Sequence, residues 1–476
     1  MKSTRRVLLI ILVAGVATAA TSLLGRDDRR PARPLLTAAP SAKRPCKIAV
    51  GPNVQISRPH DKLRHTECVI AADPADSRRL FASAMFYRKG DDPSLAGYYS
   101  HDGGLTWQVG FELDPKRRGE RLADESLAYG PDGELYLGYV RFPGDDESVK
   151  FLQENAGYSV EFLRSTDGGV RWQPRGVIPR YVDRPWLAVD RTSGPFRGRV
   201  YWSANVGQPL FAASRDGAAS FGPLVTPDKA VENPFPSQPA VLADGSVVWA
   251  NLYRPVLGGV LAETPRMAVF RSDDGGRTVR EVGQVGADWR HPRLHPLTWM
   301  GFPQLAADVN KASPHRGRLY CVWFDGREVN HRRVIFSRSD DRGASWSPPE
   351  VVSEQSMDDN SNDYAVTMPT VAVNPDGVVA VAWYDRRGLP AVEELPGGRW
   401  KAVGYNVRLR VSLDGGRSWS PSVQVNEVAA KGGLDAYGHT AGLTAAADGR
   451  FFPAWVDDRT GHPQLWTAPC SVQAPR

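Results

Sequence analysis

The apolar positions of this chain fall in short runs that come in pairs around a polar turn. The clearest pair is Pro369-Thr370-Val371-Ala372-Val373-Asn374-Pro375-Asp376-Gly377-Val378-Val379-Ala380-Val381-Ala382-Trp383. It reads as two strands joined by a turn. Further pairs begin near Glu67, Ser126, Pro185, Pro239, Pro303 and Ala441. They turn at Pro131-Asp132-Gly133, at Asp244-Gly245, at Asp448-Gly449, or through a longer insert such as Arg316-Gly317-Arg318. Seven strand pairs result, and six of them are followed by a second recurring element.

That element is S-x-D-x-G-x-x-W. It stands at Ser100-His101-Asp102-Gly103-Gly104-Leu105-Thr106-Trp107 and recurs from Ser165 to Trp172, from Ser339 to Trp346 and from Ser412 to Trp419. Two worn copies complete the set. One, from Ser214 to Phe221, has Ala218 for the second Gly and Phe221 for Trp; the other, from Ser272 to Val279, ends in Val279. The chemistry is that of a tight hairpin turn, in which Asp accepts backbone N–H bonds and Gly supplies positive φ. The hydroxyls close the loop and Trp plugs the sheet face below. A unit this small cannot bury its own core, so its recurrence implies a repeat architecture.

The octapeptide resembles the Asp box of the sialidase (neuraminidase) superfamily. The resemblance implies an all-β fold, a single β-propeller of four-stranded blades. Asp102, Asp167, Asp216, Asp274, Asp341 and Asp414 are then structural box residues. Each strand pair supplies strands A and B of a blade, the residues before a box form C, and those after it form D. The last pair, Gly442 to Trp455, is followed only by a C-like strand, from Pro463 to Ala468. Its missing fourth strand is expected from Lys47 to Ser57, which would close the ring and leave no open edge. Counting favours seven blades; sialidases themselves have six, and six remains the alternative.

Composition changes this picture only at the N-terminus. The net charge of +6 looks basic, but residues 1–40 hold seven Lys/Arg against Asp27 and Asp28. The remainder carries 52 Lys/Arg against 51 Asp/Glu, so no nucleic-acid footprint exists. Lys2, Arg5 and Arg6 precede an apolar run from Val7 to Ala17, and Ala17-Thr18-Ala19 offers a cleavage site. Residues 1–25 therefore read as an export signal, or as an uncleaved anchor extended by Leu23 and Leu24. An Arg/Pro/Ala-rich linker over 26–45 is expected to be disordered. The propeller is expected over 46–470 and a tail over 471–476. The exported protein would be secreted, periplasmic or at the cell surface, and monomeric. Export permits disulfides, and ring closure would bring the chain ends together, so a Cys46–Cys470 bridge is expected; Cys68 and Cys321 read as buried thiols.

Propeller geometry sorts the candidate chemistry. Residues just before each A strand and just after each B strand share the face around the channel. The first set is His65 and Glu67, Asp124 and Glu125, Asp183 and Arg184, Gln238, Phe302, Met368, and Tyr437 with His439. The second set is Trp323-Phe324-Asp325-Gly326-Arg327, Trp383-Tyr384-Asp385-Arg386-Arg387 and Trp455-Val456-Asp457-Asp458-Arg459. The sialidase resemblance implies three Arg clamping a carboxylate, a Tyr nucleophile with its Glu, and an Asp acid/base. Arg327, Arg387 and Arg459 are candidates for the clamp, although a feature repeated at one blade position reads equally as blade maintenance. Arg184, Glu67, Asp124, Glu125 and Asp183 do not repeat and are the better catalytic candidates, with Tyr437 or Tyr364 as the tyrosine. The family's Phe/Tyr-Arg-Ile/Leu-Pro motif is absent; Ile56-Ser57-Arg58-Pro59 has the wrong spacing and Arg184-Pro185 comes two blades late.

No phosphate loop and no zinc spacing is present, so no cofactor is expected. Asp358-Asp359-Asn360-Ser361-Asn362-Asp363 is a weak candidate for Ca²⁺. The insert carrying His291 and His295 is long enough to overhang the central face. Two functions compete: an exo-α-sialidase-type glycoside hydrolase acting on exposed glycans, and a non-catalytic propeller binding a glycan or protein, or scaffolding an envelope assembly.

Overall fold

The computed structural model describes residues 37–42, 46–88, 92–143, 157–205, 209–227, 231–257, 260–261, 266–286, 303–325, 333–354, 367–389, 393–395, 399–401, 404–432, 437–438 and 440–473. Its sheets form the seven blades of a propeller. Blade 1 runs Arg64–Ala72, Leu80–Tyr87, Ser94–Ser100 and Gln108–Leu113. Blade 2 runs Arg121–Tyr129, Leu135–Phe142, Ser159–Ser165 and Gln173–Ile178. Blade 3 has Asp183–Val189, Val200–Asn205 and Pro209–Ser214, with its fourth strand reduced to the bridge between Phe211 and Val225. In blade 4, Val231–Pro236 and Ala240–Val241 both pair with Val247–Leu257, followed by Arg266–Ser272 and Arg280–Gln284. Blade 5 comprises Gln304–Ala307, Leu319–Asp325, Arg333–Ser339 and Glu350–Val351. Blade 6 comprises Thr367–Val373, Val379–Asp385, Asn406–Ser412 and Val423–Gln424.

Blade 7 is built from both ends of the chain. Gly442–Ala445, Phe451–Asp457 and Gln464–Thr467 receive Val54–Gln55 as their outer strand. The expected closure therefore holds. Around the axis each first strand packs beside the next, and Gly442–Ala445 meets Arg64–Ala72 to complete the circle.

Three expectations at the chain ends need correction. Residues 471–473 of the expected tail are not free, because Cys470–Gln473 pairs with Lys47–Val50. Nor is all of 26–45 a free linker: Thr37–Ala38 lies parallel on Glu350–Val351, and Ser41 bridges Trp419. Finally, the Cys46–Cys470 bridge does not form, and all four cysteines are buried free thiols. The register gives the reason. Cys470 stands opposite Val50, whereas Cys46 precedes Lys47, which faces Gln473. At ~3.4 Å per residue the two sulfurs sit too far apart along the ladder to bond.

The boxes work as interblade joints. In the first, the Ser100 hydroxyl donates to Asp102 at 2.8 Å and accepts the Gly104 N–H at 2.9 Å. Asp102 accepts the Thr106 N–H and hydroxyl, and the Trp107 indole donates to the Gly104 carbonyl at 3.2 Å. The aromatic then reaches the preceding blade instead of its own sheet face. Trp172 packs edge-on to Phe81 and Phe111 of blade 1, Trp419 edge-on to Phe336 of blade 5, and Phe221 keeps the role by packing at a tilt, 4.4 Å from Phe162 of blade 2. The second glycine must be small for the same reason. A Cβ on Gly416, at φ +80°, would lie 2.5 Å from the Phe336 ring.

Candidate functional site

The first strands of blades 1, 2, 3 and 6 each begin with a register slip, between Thr66 and Cys68, Ala123 and Ser126, Asp183 and Trp186, and Thr367 and Thr370. At each slip one non-glycine residue takes a left-handed conformation: Glu67 at φ 53°, Asp124 at 58°, Arg184 at 54° and Met368 at 53°. Such conformations cost about 1–3 kcal/mol each and persist only where the surroundings impose them.

The bulges bring side chains from three blades to one point. Arg184 of blade 3 reaches across to Glu67 of blade 1, with Nη2 2.6 Å from Oε2. Its Nε lies 3.6 Å from Asp124 Oδ1 of blade 2. All three side chains are nearly sealed from solvent. The Glu67 backbone N–H donates to the Tyr437 carbonyl at 2.9 Å, and Gly438 presses against the Glu67 side chain, joining blades 1 and 7 at the same place.

Two further carboxyls complete the cluster. Glu125 is buried, and neither of its oxygens has a hydrogen-bond partner. Burial, then the nearby Glu67 carboxylate, pushes its pKa well above the usual range, which favours the protonated form. Asp183 is half-buried at the edge. Burial and then the Asp124 charge outweigh the pull of Arg184 and push its pKa up to about 7. Asp183 is thus available as a proton donor near neutral pH, beside two carboxyls that face a guanidinium.

An aromatic wall stands next to these acids. Tyr158 and Tyr181 meet edge-on at 4.9 Å, and Phe142 lies 5.9 Å from Tyr158 and 6.2 Å from Tyr181. Burial and the Asp183 and Asp124 charges raise the Tyr181 pKa, which places the phenol close to the acids. Sequence reasoning missed this wall; its only signal was aromatic residues at the strand ends of blade 2 and just before blade 3.

The remaining candidates take other roles. Arg387 and Arg459 are each bound to an aspartate two residues before them. Asp385 accepts the Trp383 indole N–H at 3.0 Å and faces Arg387 Nε at 2.8 Å, and Asp457 holds Trp455 and Arg459 in the same way. Arg387 turns to Glu354 and Ser422, and Arg459 to Asn53 and the Trp466 ring, so the two share no partner among the described residues. This repeated Trp–Asp–Arg staple maintains the blades. Arg327, His439, Tyr364 and Phe302, the insert with His291 and His295, and residues 358–363 lie outside the described residues. Tyr437 is buried and its hydroxyl accepts the Gly432 N–H at 2.8 Å. Burial and the Asp458 carboxylate raise its pKa, which disfavours a phenolate nucleophile. Gln238 donates to the Leu187 carbonyl, and buried His65 bonds Tyr98 at 2.7 Å. No grouping of His, Cys, Asp and Glu among the described residues is arranged to hold a metal ion.

The BNR/Asp-box repeat family matches residues 98–109, which include the first full box. A protein of unknown function from Dyadobacter fermentans is similar in structure, with a TM-score of 0.50 and 15% identity over 90% of this chain and 99% of that one. The Hadza microbial sialidase Hz136 has a TM-score of 0.44 and 14% identity over 91% and 95% of the two chains. An α-L-arabinofuranosidase from Fusarium graminearum has 0.44 and 16% over 76% and 98%. No curated protein matches the sequence. The chain is a β-propeller that carries Asp boxes. Within that class it has seven blades and an acid-rich axial face pinned by one arginine.

Proposed function

We propose that this protein is a glycoside hydrolase that acts on exposed glycans at the axial face. The observation behind the reading is the convergence of Glu67, Asp124 and Arg184 from three blades on bulged, strained positions, with Asp183 next to Arg184 in the chain. Glycoside hydrolysis needs a protonated acid at the leaving oxygen and a carboxylate facing the sugar. Asp183 suits the first role and Asp124 the second, with Arg184 and Glu67 fixing Asp124 in place. The Phe142–Tyr158–Tyr181 wall supplies an apolar face for a sugar ring. An exo-α-sialidase is the finer form of the proposal; its carboxylate clamp would have to draw on arginines beyond Arg387 and Arg459. Export through residues 1–25 is part of the same reading and would bring the enzyme to its glycans.

The test is turnover of fluorogenic glycosides, an α-sialoside and an α-L-arabinofuranoside among them, by wild type and Asp183→Asn. Activity is expected to fall above pH ~7 as Asp183 loses its proton, and to vanish in a variant that still melts cooperatively. Wild-type protein that turns over none of the glycosides would make the propeller a recognition module.

A further inference from the structure

The channel has a second mouth, at the far ends of the first strands, where they turn into the second ones. It opens from an axial cavity of about 510 Å³, a size suited to a small ligand. Its throat is apolar, with Ile70, Ala128, Val189, Ala240, Leu305 and Ala372 on its wall.

Two of the turns at this mouth are long, from Asp190 to Arg199 in blade 3 and from Asp308 to Arg318 in blade 5. Blade 1 has a turn of intermediate length, from Asp73 to Arg79, and the other blades use short turns such as Asp132-Gly133 and Asp244-Gly245. Both inserts are wired alike. Asp190 accepts the Thr192 N–H at 2.7 Å; Asp308 accepts the Asn310 N–H at 3.0 Å and the Ser313 hydroxyl at 2.5 Å. Gly198 and Gly317 then close each loop on the carbonyl of its own aspartate, at 2.8 and 2.7 Å. Anchored in this way, the loops carry Arg191, Arg197, Lys311 and Arg316 to the cavity, beside Thr192 and Ser193.

Only one of these cations is satisfied. Arg197 pairs with Asp132 at 2.6 Å. The side chains of Arg191, Lys311 and Arg316 make no ion pair or hydrogen bond among the described residues. Protein packed around Arg191 lowers its pKa, and Asp73 is the carboxylate that pulls it back. Asp73 is itself occupied by the Ala75 and Asp76 amides and by Arg79. Asp190 is buried and keeps one oxygen without a partner. Arg191, Lys311 and Arg316 are exposed at the rim, so water solvates them in the empty site, and together they set a positive field at the mouth of an apolar throat that favours an anion.

We propose that this mouth binds the oxyanion group of a small ligand, a carboxylate, phosphate or sulfate, whose body enters the apolar throat. The site is separate from the acidic cluster, which lies at the other ends of the same strands, and does not depend on glycan hydrolysis. The test is calorimetry and thermal melting of the full chain with inorganic sulfate, inorganic phosphate and octanoate, each against chloride at equal ionic strength. All three anions should stabilise the wild type beyond chloride, octanoate most strongly because it fills the throat. Arg191→Ala combined with Lys311→Ala should weaken binding about tenfold or more, while Asp183→Asn should leave it unchanged. Should the double variant fail to melt cooperatively, Arg316→Gln, on an exposed loop, should weaken binding about fivefold. Stabilisation no greater than chloride gives, or equal in the variants, would overturn the site; octanoate binding no tighter than sulfate would overturn the throat.

Discussion

Arg184 offers the most direct test of the axial cluster, through replacement by Met, which keeps most of its volume and removes its charge. The guanidinium is 3% exposed and lies 2.6 Å from Glu67 and 3.6 Å from Asp124. Removing one partner of a buried pair costs roughly 3–5 kcal/mol, and with two carboxylates deprived of it the upper end is expected at neutral pH. The loss should depend on pH in a defined direction. Asp183 has a folded pKa of about 7, raised from 3.8. A carboxyl raised in this way stabilises the fold below its unfolded pKa, and that contribution is lost as pH rises through the folded value. Without Arg184 the other acids at the axis should shift upward too, so the variant should be penalised more at pH 8 than at pH 5. Guanidinium denaturation of wild type and Arg184→Met at both pH values measures the difference. A loss below roughly 1 kcal/mol, as for a solvent-screened surface pair, or an equal loss at both pH values, would refute a sealed, arginine-pinned cluster.

The other predictions concern the frame. Reductant, or Cys46→Ser, should leave the melting temperature unchanged, and a clear fall would mean that the terminal register is wrong. Gly416→Ala should destabilise by roughly 1–3 kcal/mol through its clash with Phe336 at positive φ; a neutral result in chemical denaturation would remove the close joint. Burial works against the box aspartates, but their turn hydrogen bonds outweigh it and bring Asp216 and Asp274 to about 2. Carboxylates lowered in this way stabilise the fold above their unfolded pKa near 4 and lose that contribution as pH falls toward 2. Asp274→Asn should therefore flatten the acid limb of the stability curve, and an unchanged limb would show that the turn bonds do not matter.

The frame was legible because its signal repeats. Six copies of one octapeptide and seven strand pairs set the blade number, and the missing last strand pointed to Val54–Gln55. The acid-rich rim was legible as an exception to that repeat: Glu67, Asp124, Asp183 and Arg184 stand where other blades place Gln or Met. Its geometry was not. Left-handed backbone at Glu67, Asp124, Arg184 and Met368 is imposed by the slip in each first strand, and no glycine marks it. In the triple Arg pattern, Arg387 and Arg459 repeat with their Trp–Asp neighbours, each bound to the aspartate that accepts its tryptophan's indole N–H, while Arg327 lies outside the described residues. Disulfide pairing failed on register: the two chain ends do meet, but as a ladder whose offset separates Cys46 from Cys470.

The shared blade also dictates an order of events during synthesis. Ser57 accepts the Leu465 N–H across 408 positions of sequence, and Val54 pairs with Thr467. The strand that closes the ring precedes every other blade strand in the chain, yet it has no partner until the last blade has been made. Throughout elongation the growing arc keeps two unsatisfied edges that can pair with other chains. A stop just before Gln464 would therefore leave nearly all of the blades in a ring that stays permanently open and prone to pair edge to edge, so selection against truncation at this point should be sharp.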